Sequence, residues 1–200
     1  MKANRNKFLQ LIGKTKTPIL ADGAMGTLLH SQGTGFDQCF DHLNITNKGI
    51  ISNIHQAYIK AGSEVIYTNT FGANRYKLAA HGLENLTQEI NIAGVELARK
   101  AAEDSNKNIL VAGDIGPLGV RLAPFGRIKI EDARNAFREQ ISALCDAGVD
   151  LIVMETFGDL YEIREAVMAA HNTCQKAIIA SMTFTRDDRT ILGDPPLNGC

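Results

Sequence analysis

The stretch Ala61-Gly62-Ser63-Glu64-Val65-Ile66-Tyr67-Thr68-Asn69-Thr70-Phe71-Gly72 occurs twice in outline. Ala147-Gly148-Val149-Asp150-Leu151-Ile152-Val153-Met154-Glu155-Thr156-Phe157-Gly158 repeats it 86 residues further on. In each copy a helical stretch runs into Ala-Gly, where glycine supplies the left-handed turn that ends a helix. An apolar run follows, then a polar residue and Thr-Phe-Gly. The run is continuous rather than alternating, as in a strand buried on both faces, and parallel strands are buried that way. A strand–helix unit of a closed barrel takes about 30–45 residues, so the spacing corresponds to two units. A weaker echo joins Leu20-Ala21-Asp22-Gly23 to Ala112-Gly113-Asp114-Ile115, 92 residues apart. Alternate strands of an eight-stranded barrel feed the same layer of side chains, and a two-unit repeat is what such a barrel would produce.

Working outward, five strands are predicted: Pro18–Asp22, Glu64–Asn69, Ile109–Asp114, Asp150–Glu155 and Ala177–Thr183. Helical periodicity fills the intervals. Ile50, Ile51, Ile54, Tyr58 and Ala61 form one stripe. Ala133, Phe137, Ile141 and Leu144 form a second, within a helix predicted at Glu131–Ala147, and Leu160, Ile163, Val167 and Ala170 form a third. Strand–helix alternation along the whole chain predicts an α/β fold with parallel strands. The expected architecture is a (β/α)₈ TIM barrel with the first five βα units present in residues 1–200. Typical barrels run to about 250 residues, so strands six to eight are expected to lie beyond this sequence.

In this architecture chemistry sits at the carboxyl ends of the strands. Asp22, Asn69, Asp114 and Glu155 each end an apolar run, and each precedes a glycine-containing turn. Three acids converging on one mouth suit a Mg²⁺ site, acid–base chemistry or the grip of an ammonium group. The loop Asp22-Gly23-Ala24-Met25-Gly26-Thr27 lacks any phosphate-binding glycine pattern. Its backbone N–H groups could still approach a small carboxylate.

Composition excludes other classes. The 200 residues are 44% hydrophobic and carry a formal net charge of −1, which offers no field to attract nucleic acid or an anionic membrane. The apolar run Phe8 to Ile12 is too short for a signal peptide or a membrane span, and a cytoplasmic location is expected. Cys39, Cys145, Cys174 and Cys200 form no CxxC motif, and a disulfide framework is not expected. Cys145 is read as a buried structural thiol, and Cys39 and Cys174 as inert. The five histidines show no ligand spacing.

Asp22-Gly23-Ala24-Met25-Gly26-Thr27, Thr68-Asn69-Thr70-Phe71-Gly72-Ala73-Asn74, Gly113-Asp114-Ile115-Gly116-Pro117 and Met154-Glu155-Thr156-Phe157 occur in order. Together they resemble the homocysteine S-methyltransferase family over residues 17–196. That family includes the N-terminal barrel of methionine synthase, betaine–homocysteine methyltransferase, and barrels fused to a methylenetetrahydrofolate reductase. The resemblance implies an enzyme that binds homocysteine and methylates its sulfur to give methionine. Asp22 and Glu155 would hold the substrate ammonium, which favours aminothiols over thiols lacking an amine. Gly23, Ala24, Thr70 and Phe71 would supply backbone donors and a wall, and Asn69 and Asn74 polar liners. Asp114 would stand behind them or face the methyl donor. The donor itself is open among methyltetrahydrofolate, a cobalamin-bound methyl, S-methylmethionine and betaine.

The family uses zinc, because a free thiol of pKa about 8.5 is only a few per cent thiolate at pH 7. Its ligands are a cysteine in a Gly-x-Asn-Cys context and a later Cys-Cys pair. Neither pattern occurs in this sequence. Cys200, in Asn198-Gly199-Cys200, bears only a superficial likeness to the first. It follows Thr183 by 17 residues, across a turn at Gly193-Asp194-Pro195-Pro196. The zinc ligands are therefore expected beyond residue 200, in the half that would complete the barrel, and these 200 residues alone are expected to be inactive. Two other readings stay open at this point: a Mg²⁺-dependent barrel lyase or aldolase using Asp22, Asp114 and Glu155, and a non-catalytic fragment that binds an amino acid.

Overall fold

Side chains along a strand alternate between faces, and here that alternation divides each apolar run between two different neighbours. Ile66, Val111, Ile152 and Met154 join one buried cluster, and Val65, Leu110, Ala112, Leu151 and Val153 join another. This is why the strands read as continuous apolar runs.

The computed structural model describes residues 7–196. Helices α1 (Lys7–Lys14), α2 (Met25–Ser31), α3 (Leu43–Thr46) and α4 (Lys48–Ala61) precede strand β1 (Val65–Tyr67). Helix α5 (Arg75–Ala79), a 3₁₀ turn at Glu84–Leu86 and α6 (Thr87–Asp104) lead to β2 (Leu110–Ile115). Helix α7 (Ile130–Asp146) leads to β3 (Leu151–Phe157), and α8 (Leu160–Thr173) to β4 (Ala177–Met182). The four strands are parallel and lie side by side in chain order.

Helices α6, α7 and α8 pack in succession and bury Val95, Ala98, Phe137, Ile141, Leu144 and Ala166 against one face of the sheet. The other face meets Phe8 and Leu11 of α1, with Ile19 and Ala21. It also borders an apolar groove of about 560 Å³. Chain-order strands with their helices on a single face wind in one direction, unlike a doubly wound sheet covered on both sides.

The predicted first strand, Pro18–Asp22, is not a regular strand. It contributes one isolated parallel bridge, Ala21 to Val65, with Asp22 N–H donating to Val65 O and Glu64 N–H to Leu20 O. Pro18 has no N–H to give, and Leu20 N–H donates to the Glu64 side chain rather than to a neighbouring backbone. An isolated bridge thus stands in place of the first of the five expected strands, and the other four form the sheet. β1 is also shorter than predicted, because Thr70 N–H turns back to Thr68 O and bends the chain.

The two glycine stops are as expected. Gly62 and Gly148 adopt φ of 116° and 96°. The repeat they open marks β1 and β3, the two strands that flank β2.

β3 carries a bulge. Met154 pairs with Ala180 and Phe157 with Met182, so β3 has one residue more than β4 between these pairs. Within it, Thr156 takes a φ of 64°, a strained value for a β-branched residue. Glu155 emerges on the face of Val153, while Phe157 returns to the helix side against Phe137, with ring centroids 5.9 Å apart. Bulges of this kind re-aim side chains beside functional sites.

Candidate functional site

At the carboxyl end of the sheet lies a cavity of about 680 Å³. Of the residues expected in a site, Ala24, Asn69, Phe71, Asp114 and Glu155 line it. Asp22 lies outside this lining, but the Glu155 charge acts on it and its own charge acts on Asp114, so it belongs to the same electrostatic unit.

The three acids sit in an unfavourable setting for negative charge. Asp22 Oδ2 accepts from Tyr67 N–H at 2.9 Å, and its Oδ1 is buried without a partner. Burial pushes its pKa up to about 7, against the pull of the Tyr67 and Asp22 N–H groups and with a contribution from the Glu155 charge. Asp114 also has a buried, unpartnered Oδ1. Burial, and then the charges of Glu155, Asp41 and Asp22, holds it well above the usual carboxylate range. Burial raises Glu155 as well. Tyr67 faces all three; burial and then their charges push its phenol upward. Three carboxylates cannot all ionise here at low cost unless a cation joins them.

The loop from Thr68 to Asn74 is fixed by buried amides. Asn44 Nδ2 donates to Asn69 O, Gln140 Nε2 to Thr70 O and Asn91 Nδ2 to Ala73 O, each at 2.7 Å. The loop's own polar side chains face this scaffold. Asn69 Nδ2 donates to Phe40 O and Asn44 Oδ1, and Thr70 Oγ1 donates to Asp114 O at 2.7 Å. Asn74 Oδ1 accepts from the N–H groups of Tyr76 and Lys77 and caps α5. Thr70 and Asn74 are therefore corrected from pocket liners to framework residues, and neither lines the cavity. Gly23 does not line it either. It packs under Tyr58, whose hydroxyl donates to Ala24 O at 3.2 Å.

Several lining residues were not anticipated. Asp41 is buried, accepts from Gly72 N–H at 2.9 Å, and is raised by burial. Lys77 holds its ammonium 4.2 Å from the centre of the Phe71 ring. Cys39 lines the cavity too, and burial followed by the Asp41 charge pushes its thiol up, which keeps it protonated. Tyr67 could have been found from its two-residue spacing to Val65. Asp41 and Lys77 left no such signal, since long-range loop packing brings them in.

Among the described residues no three His, Cys, Asp or Glu side chains group to hold a metal ion. Asp22, Asp114 and Glu155 thus do not form the Mg²⁺ set considered above. Cys145 and Cys174 are free and pack against the helix-side core. Cys200 lies outside the described residues. No described helix is long and apolar enough to cross a membrane.

The sequence model of the family described as homocysteine S-methyltransferase matches residues 19–198. The chain belongs to that family. Methionine synthase of Mycobacterium tuberculosis is 28% identical over 189 residues, covering 88% of this chain and 16% of the relative. That of Mycobacterium leprae is 29% identical over 168 residues, covering 80% and 14%. The chain therefore spans a small part of these relatives. Among solved structures, the homocysteine methyltransferase MmuM of Escherichia coli in its metallated form superposes with a TM-score of 0.81 at 26% identity, over 95% of this chain and 71% of that one. Its oxidized form gives 0.82 at 28% identity, over 94% and 69%. These relatives are methyltransferases, and the parallel α/β fold described here is similar to that of MmuM.

Proposed function

We propose that this chain is the homocysteine-binding part of a (β/α)₈ barrel that transfers a methyl group to the homocysteine sulfur to give methionine. The observation that carries the reading is the cluster of buried Asp114 with the partly buried Asp22 and Glu155, which holds two unpartnered carboxylate oxygens. A substrate ammonium supplies three donors and a positive charge to that cluster, in charge-assisted hydrogen bonds. Asp22 and Glu155 take the ammonium in this reading, and Asp114 adds its charge from behind. The Ala24 backbone, held by Tyr58, offers a donor to the substrate carboxylate, and Phe71 forms a wall. In such a reaction zinc would hold the sulfur as thiolate. The described residues do not form a set for it.

The test is calorimetry with homocysteine on the wild-type chain and on Glu155→Ala. Binding that the substitution abolishes supports the assignment; unchanged affinity sinks it. The pH dependence has a definite sign. The ammonium binds ionised Asp22, whose pKa in the free site is about 7, so binding expels a proton and affinity falls as pH drops below about 7.

A further inference from the structure

We infer that Lys77, seated between the Phe71 ring and Gly119 on the cavity wall, is a docking point for a carboxylate carried by one of the two substrates. The identity of those substrates rests on the methyl-transfer reading above.

The seat is built by three elements. Asn74 caps α5, and Arg75 beside it pairs with Glu139 of α7 through two bonds of 2.7 and 2.8 Å. The helix that carries Lys77 is thereby pinned. The Gly116-Pro117-Leu118-Gly119 turn leaves room for the aromatic ring and the lysine stem. A Cβ on Gly116 would fall 2.5 Å from the Phe71 ring, and one on Gly119 would fall 3.0 Å from Lys77 Cγ. Gly119 also has a φ of 79°, which an L side chain rarely adopts. Both glycines thus preserve the Phe71–Lys77 pair.

The ammonium is held but not satisfied. The ring attracts it, yet among the described residues Lys77 makes no ion pair within 4.0 Å and no side-chain hydrogen bond. Three acids act on it through their fields: Asp41, Glu162 and Asp114. Two of them are already engaged elsewhere, Asp41 by Gly72 N–H and Glu162 by Leu118 N–H at 2.7 Å. Burial lowers the Lys77 pKa against those fields, so an incoming anion relieves a real desolvation cost. Because burial also raises Asp41 and Asp114, their repulsion of a carboxylate is weakened. The cavity is of a size that ordinarily takes a drug-like ligand, about 300–1,000 Å³, and so exceeds the needs of one small amino acid. Its acids serve an ammonium and Lys77 serves an anion.

The carboxylate could belong to homocysteine or to a methyl donor such as betaine or S-methylmethionine. Calorimetry on the full chain separates these. Wild type, Lys77→Met and Lys77→Arg are titrated with homocysteine, with its decarboxylated analogue 3-aminopropane-1-thiol, with S-methylmethionine and with glutarate. The expected result is a loss of about tenfold or more on Lys77→Met for at least one carboxylate probe. The analogue stays within about twofold and Lys77→Arg recovers most of the affinity. Loss on homocysteine assigns the carboxylate to the acceptor; loss on S-methylmethionine alone assigns it to the donor. Unchanged affinity for every carboxylate probe, or equal loss for the analogue, overturns the inference, as does a wild-type chain that binds no carboxylate probe. If neither thiol binds but glutarate binds through Lys77, the homocysteine reading fails and the carboxylate site stands. Thermal melts confirm that each variant is folded.

Discussion

On β3, Ile152 and Met154 point into the helices while Val153 and Glu155 point away from them. The first pair is fully buried in a continuous apolar cluster that runs through α6, α7 and α8. The second pair starts in a small cluster and ends in a cavity among raised carboxylates. One strand therefore supplies cohesion on one side and a strained electrostatic site on the other. The lesson is a division of labour by parity: side-chain spacing of two decides whether a residue serves stability or ligand binding. Substitutions on the helix side should lower stability and those on the cavity side affinity, with little crossover.

Phe137→Ala attacks the helix side where it is densest. Phe137 is fully buried and packs on Phe157. Its loss should cost about 3–5 kcal/mol of stability, read as a lower urea midpoint. A loss below about 1 kcal/mol would break the comparison.

His55 is the exception that sharpens it. It is buried on α4 in the helical layer, and neither ring nitrogen has a partner. Burial lowers its pKa from 6.5 to about 4. The unfolded chain then binds the extra proton between those values, so stability is full above about 6.5 and lost as pH falls toward 4. The loss is about 3 kcal/mol, and His55→Leu should flatten the profile of urea midpoint against pH.

On the cavity side, Glu155→Gln removes one charged acceptor for the proposed ammonium. Homocysteine affinity should fall by about 1.5–3 kcal/mol. The thermal midpoint should hold or rise, because the change relieves repulsion on Asp114 and Asp22. A large fall in midpoint would show that Glu155 serves the fold.

Asn74→Ala, which removes the α5 cap, has the smallest expected effect. It should cost about 1 kcal/mol of stability. It should also weaken any carboxylate binding that depends on Lys77, since that residue rides on the same helix.

What could be read from the sequence follows the same division. β2, β3, the helices α4, α7 and α8 and the glycine stops declare themselves through local pattern: burial on both faces forces continuous apolar runs in the strands, and burial on one face leaves a stripe on the helices. The acids at strand ends were legible for the same reason: the runs stop where the carboxylates begin. Pro18–Asp22 misled because a side chain of Glu64 takes the place of a ladder bond, which no periodicity records. Asn74 carries a helix-capping signal, since Asn favours the position before a helix, and that role takes its side chain out of the pocket. Asp41 and Lys77 were invisible, since their place depends on loops meeting across the fold and on two glycines that leave them room.

The extra residue in β3 has a consequence for how this strand tolerates change in length. Removing one residue from a regular strand turns every later side chain to the wrong face. Here Thr156 is supernumerary, and a strand without it would still direct Phe157 toward Phe137. The segment thus carries its own spare position, and in this one place a deletion keeps the later side chains in phase.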